Sequence, residues 1–161
     1  GSSFFVQLPA YTGTQQASPE KDSESTGEVK EKLPGQKPYI LIVEDEKTNR
    51  EYMKYTLSEH FEVDISVNGY KAYELAKKNR YDLIFMDVTL DKEMSGIRAM
   101  EEIRKLENYA HVPIAAVTAN VMKTQQDEFF RRGFTHFLPK PFKRQQLRDL
   151  TSERMTKDCI N

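Results

Sequence analysis

The chain has 161 residues, enough for one domain and a segment besides. With 30% charged residues and a net charge of −1, composition argues against a nucleic-acid partner, and apolar runs such as Tyr39–Val43 and Leu83–Met86 are too short to span a bilayer, so no direct membrane contact is expected. One cysteine, Cys159, excludes an intramolecular disulfide. With no signal-peptide pattern at the start, the expected setting is reducing and cytoplasmic.

In chain order, residues 1–10 (GSSFFVQLPA) alternate Phe4, Val6 and Leu8 like a strand stopped by Pro9. The other reading of this stretch is an expression remnant, since Gly-Ser is a common cloning scar. Residues 11–37 read as a flexible linker: between Thr12 and Gln36 the only apolar residues are Ala17, Val29 and Leu33, too few to offset the entropy of ordering. From Pro38 the pattern changes to alternating strand and helix signals. Tyr39–Val43 (YILIV) is a buried strand. Lys47–Glu59 is helical, with Tyr52, Thr56 and Leu57 inward. Phe61–Val67 alternates strictly, with Phe61, Val63, Ile65 and Val67 on one face, as in a half-buried strand near an edge. Asn68 caps a helix to about Asn79, with Ala72, Leu75 and Ala76 on one face. Asp82–Met86 is the third strand, and Ile97–Glu107 a helix burying Ile97, Met100 and Ile103. Pro113–Val117 is the fourth strand. Val121–Arg132 is a helix ending at Gly133, with one of Phe129 and Phe130 inward. Thr135–Leu138 is the fifth strand, and the last helix runs from Lys143 to about Arg154, leaving 155–161 as a tail. Five strands alternating with five helices predict an α/β fold over residues 38–154: a doubly wound parallel sheet with helices on both faces.

Four of these strands end in polar or ionisable residues. Glu44 and Asp45 follow the first, Asp87 the third and Thr118 the fourth, and Lys140 follows the fifth after one proline. All four lie at the edge where open parallel sheets bind ligands. One such ending is ordinary, since Asp and Thr serve as turn and cap residues. Four together are not accounted for by loop polarity. Three crowded carboxylates repel one another, and one lysine cannot neutralise them. A hard divalent cation with oxygen ligands, Mg²⁺, closes the charge count. His60, His111 and His136 are scattered, without metal-ligand spacing.

The acidic pair in LIVEDEKTNR, the aspartate in LIFMDVTL, the threonine in PIAAVTAN and the lysine in FLPKPF stand in the order and spacing of a receiver domain of two-component signalling, which the stretch from Lys37 to about Leu150 resembles. The resemblance implies a flavodoxin-like sheet of strand order 2-1-3-4-5. It implies that Asp87 is the phosphoacceptor and that Asp45 and Asp87 bind Mg²⁺ directly, with Glu44 acting through water and the Thr89 carbonyl completing the protein share. Lys140 would neutralise a phosphoryl oxygen, Thr118 would donate its hydroxyl to another, and Phe137 would hold the aromatic switch position. The side chains of Thr89 and Asn120 would tune the lifetime of the phosphorylated state. The Lys140–Pro141 bond is expected to be cis. Such a domain catalyses its own phosphorylation and dephosphorylation without being a turnover enzyme.

Residues 1–10 resemble the last strand of a histidine-kinase ATP-binding domain. On that reading the chain is the C-terminal receiver of a hybrid sensor kinase, the linker raises the local concentration for transfer, and the partners are the kinase domain or a histidine phosphotransfer domain. Two departures stand out. The loop after Asp87 lacks the family's proline and reaches its glycine, Gly96, one residue late, with Asp91, Lys92 and Glu93 adding charge. Glu46 stands where hybrid-kinase receivers often carry Asn. Two other functions compete. A haloacid-dehalogenase-type phosphatase needs a second aspartate at the position of Thr89, which argues against it. The remaining alternative is an interaction module with a receiver fold that is not phosphorylated.

Overall fold

The computed structural model describes residues 35–90, 94–119 and 122–160, with side chains as far as 152 in the last helix. The strand expected in residues 1–10, nearly all of the linker, Asn120, the Asp91–Glu93 charges and the Cys159 side chain lie outside what is described. Five strands, β1 (Tyr39–Val43), β2 (Glu62–Ser66), β3 (Leu83–Asp87), β4 (Ile114–Thr118) and β5 (His136–Pro139), alternate with α1 (Lys47–Leu57), α2 (Gly69–Lys78), α3 (Gly96–Arg104), α4 (Lys123–Arg132) and α5 (Arg144–Ile160). A short 3₁₀ turn, Glu107–Tyr109, follows α3. All pairings are parallel, in the order β2-β1-β3-β4-β5. The predicted flavodoxin-like layout is therefore the observed one.

The pleat sorts each strand between two apolar layers. In β1, Leu41 and Val43 pack with α2 and α3 through Ala72, Ala76 and Met100, while Ile40 and Ile42 pack with α1 and α5 through Met53, Leu57 and Leu147. Central strands β3 and β4 are buried along their whole length, which is why they carry no polar alternation. Edge strand β2 is only partly buried, as its alternation predicts.

The structure corrects several local expectations. Tyr52 is exposed; Met53, Thr56 and Leu57 form the inward face of α1, because i, i+3, i+4 spacing from Met53 points at the sheet. Val67 is exposed, since β2 ends one residue earlier, at Ser66. Leu75 and Ile97 pack at the core's margin and are not fully buried. Phe129 is the inward member of its pair, and Phe130 faces out. Helix α5 runs on to Ile160, past the expected end near Arg154.

Strands β3, β4 and β5 each begin one residue later than predicted, so Asp87 and Thr118 are the last residues of their strands. Ladder pairing continues through them, with Asp87 opposite Val117 and Thr118 opposite Pro139. Their backbones are fixed by the sheet, not left to a loop.

Candidate functional site

At the carboxyl edge of the sheet, β1, β3 and β5 deliver Glu44, Asp87 and Lys140 to one place. Lys140 follows β5, whose neighbour is β4, so its side chain crosses the end of β4 to reach β3. Its backbone N–H donates to the Thr118 carbonyl at 2.8 Å, and the Lys140–Pro141 bond is cis, as expected. Lys140 Nζ lies 3.0 Å from Asp87 Oδ2 and 3.0 Å from Glu44 Oε2. Both carboxylate side chains are 1% exposed. Asp45 is the least buried of the three acids.

Asp87 is held on its other oxygen too. Thr89 donates to Oδ1 through its backbone N–H (2.8 Å) and its hydroxyl (2.7 Å). Behind the strand, a Cβ on Gly96 would lie 1.9 Å from the Asp87 carbonyl oxygen. Only a glycine lets α3 start against the backbone of β3. The start of α3 at Gly96 thus fixes Asp87 from behind, and Leu90, three residues past Asp87, is buried.

The turn after β1 is tied at several points. The Glu46 N–H donates to Glu44 Oε1 (3.1 Å) and the Glu46 carboxylate caps α1 by accepting from the Asn49 N–H (2.8 Å). Arg50 Nη1 donates to the carbonyls of Glu44 (3.2 Å) and Asp45 (3.0 Å). Sequence reasoning passed over Arg50; its only signal was a cation in the first turn of a helix that starts beside the acid pair.

These surroundings split the two buried carboxylates. Burial, then the adjacent Asp87 carboxyl, push Glu44 up to about 7, against the lowering pull of the Glu46 amide and Lys140. Burial also works to raise Asp87. The Thr89 hydroxyl and amide, with Glu44 and Lys140, outweigh it and hold Asp87 below its ordinary value. For Lys140, burial disfavours the charge, but Asp87 and Glu44 outweigh it and hold the ammonium above its usual range. Glu44 therefore keeps its proton longest while Asp87 stays ionised.

The other predicted residues fall into two groups. Thr118, buried, ends β4 beside this cluster. Phe137 is set apart on the α4 side, stacked on Phe129 (centroids 5.8 Å) and edge-on to Phe130 (6.5 Å).

The donor set fits a hard divalent cation. Glu44, Asp45 and Asp87 each offer a carboxylate oxygen, all within 4.8 Å of one another. Glu44 Oε2 accepts no hydrogen bond although it is buried. Its 3.0 Å approach to Lys140 is an ion pair without hydrogen-bond alignment. A buried carboxylate oxygen without such a bond is costly unless another partner is provided.

A doubly wound sheet with an acid–lysine cluster at its carboxyl edge defines the flavodoxin-like class of α/β domains. Within it, the chain belongs to the response regulator receiver domain family, whose model matches residues 40–152. It is 34% identical over 150 residues to the autoinducer 2 sensor kinase/phosphatase LuxQ of Vibrio vulnificus, covering 92% of this chain and 17% of LuxQ. It is 31% identical over 172 aligned positions to hybrid signal transduction histidine kinase K of Dictyostelium discoideum, covering 100% of this chain and 14% of that protein. Among solved structures, the receiver domain of the Pseudomonas aeruginosa sensor histidine kinase PA1611, which holds a magnesium ion in its active-site cleft, superposes with a TM-score of 0.68 at 33% identity over 74% of this chain and 98% of that one. The chain is thus a two-component receiver homologous to those of hybrid kinases, and it spans only a small part of those kinases' length. Among the described residues no helix is long and apolar enough to cross a membrane.

Proposed function

We propose that this receiver accepts a phosphoryl group from a phosphohistidine onto Asp87 in a Mg²⁺-dependent step. The observation that carries the reading is the half-buried ammonium of Lys140, 3.0 Å from a buried aspartate kept ionised at a strand end. An Asp87 carboxylate oxygen attacks phosphorus, the P–N bond breaks, and the imidazole leaves with the electron pair and is protonated. Phosphoryl transfer asks the protein mainly for an in-line nucleophile and concentrated positive charge. Lys140 neutralises one phosphoryl oxygen and Thr118 donates its hydroxyl to another. Asp45 and Asp87 would hold the cation directly, with the Thr89 carbonyl, and Glu44 through water. When bound, Mg²⁺ supplies the positive charge that Lys140 alone does not.

By the family resemblance, the side chains of Thr89 and Asn120 tune the lifetime of the resulting anhydride. Phe137 is the switch residue. Without a hydroxyl, it acts by changing its packing on Phe129 and Phe130. The donor is a kinase histidine, with a phosphotransfer domain as the other partner and no nucleic acid involved. The match to hybrid signal transduction histidine kinase K over 100% of the chain reaches beyond the receiver and supports residues 1–10 as the end of a kinase ATP-binding domain, with 11–37 as tether. A hybrid kinase would place this domain in the cytoplasm.

Incubation with Mg²⁺ and acetyl phosphate, read by intact mass, tests this. One added phosphate is expected, absent from Asp87→Asn and without chelator-free metal. No adduct on the native protein supports the unphosphorylated interaction module instead, and turnover of phosphate esters the phosphatase.

A further inference from the structure

We propose that Arg50 is a positioning residue for the acid cluster: by tying the carbonyls of Glu44 and Asp45 to α1, it presets the carboxylates of both for the divalent cation. The inference rests on the Mg²⁺ reading of that cluster.

At the end of β1 the chain leaves the ladder. The Glu44 N–H still donates to the Ser66 carbonyl at 3.0 Å, but β2 ends at Ser66 and α1 does not begin until Lys47. The carbonyls of Glu44 and Asp45 fall between strand and helix, where neither repeat supplies a donor. One nitrogen of Arg50 serves both, at 3.2 and 3.0 Å. Among the described residues Arg50 forms no ion pair, and its hydrogen bonds go to these two carbonyls. A half-buried guanidinium spent on main-chain oxygens, with acids close by, is placed to hold backbone. The backbone it holds carries both acids that β1 contributes. With Glu46 bonded to Glu44 Oε1 and capping α1, the turn is fastened from both sides. Groups that orient metal ligands without touching the metal commonly govern affinity.

A purely electrostatic role predicts the opposite sign. A guanidinium near the acids repels a cation, so its removal should tighten Mg²⁺ binding; a positioning role means removal weakens it. The experiment is a calorimetric Mg²⁺ titration of the full chain, well below its melting temperature, with melting in chelator as the check on folding. Arg50→Met keeps the stem and removes donors and charge; about tenfold weaker binding is expected. Unchanged or tighter binding in a folded Arg50→Met overturns the proposal. Arg50→Lys keeps the charge and loses the guanidinium fork. It is expected to bind roughly threefold more weakly or worse, and it carries the test alone if the Met variant does not fold; native affinity there also overturns the proposal. Absence of Mg²⁺ binding by the native protein overturns the metal reading itself, and this inference with it.

Discussion

At the scale of single residues, Glu44 and Asp87 show how one environment produces two opposite acids. Both are buried and both face Lys140, but only Asp87 has the two donors of Thr89. Glu44 is left with one amide and an oxygen lacking any hydrogen bond. Its value in the folded protein, about 7, stands above its ordinary 4.5. The folded state thus binds more protons than the unfolded state between those values, and stability falls as pH rises through that window. Asp87, shifted downward, contributes stability that is lost only as pH falls below its ordinary 3.8. Lys140, shifted upward, loses its contribution only above 10.5. Between pH 5 and 8 Glu44 therefore dominates. Glu44→Gln, measured in chelator by urea unfolding, should gain on the native protein by roughly 1–3 kcal/mol between pH 5 and pH 8. Parallel pH profiles would show that the buried carboxylate is not strained.

At the scale of elements, the β3–α3 connection carries the sharpest constraint. Gly96→Ala would push a methyl to 1.9 Å from the Asp87 carbonyl oxygen, so α3 or the end of β3 has to shift. A loss of about 3 kcal/mol is expected, at the upper end for overpacking, together with slower phosphorylation because Asp87 moves. A stable Ala variant with native phosphorylation would mean that α3 does not bear on the acceptor. The alternation of elements, the caps at Asn68 and Gly133 and the edge character of β2 were all legible in sequence, because local chemistry decides them. The one-residue shift of β3, β4 and β5 was not. Strand starts depend on which partner donates: the Thr135 hydroxyl accepts the Ile114 N–H at 3.0 Å, and Pro113 has no N–H to give. Tyr52 and Met53 are likewise indistinguishable by apolarity; the phase of α1 against the sheet separates them.

At the scale of the whole molecule, strand order makes the site. Glu44, Asp87 and Lys140 are distant in sequence, and only the order β2-β1-β3-β4-β5 makes β1 and β3 neighbours and puts Lys140 two strands beyond β3, across the end of β4. Sequence showed that these residues end strands; their 3.0 Å convergence, the role of Arg50 and the lone oxygen of Glu44 needed the fold, since each depends on side-chain direction across strands. Because acids from two strands face one point, a cation there bridges elements that must separate on unfolding. Binding to the folded state alone adds RT ln(1 + [L]/Kd), about 1.4 kcal/mol at ten times Kd, which raises the melting temperature by several degrees in a domain of this size. Mg²⁺ should therefore raise the melting temperature of the native chain in a saturable way, and Asp45→Asn should lose most of that rise while folding normally in chelator. If both proteins respond alike, the stabilisation comes from general screening of the acidic surface, and the three carboxylates are not acting as one site.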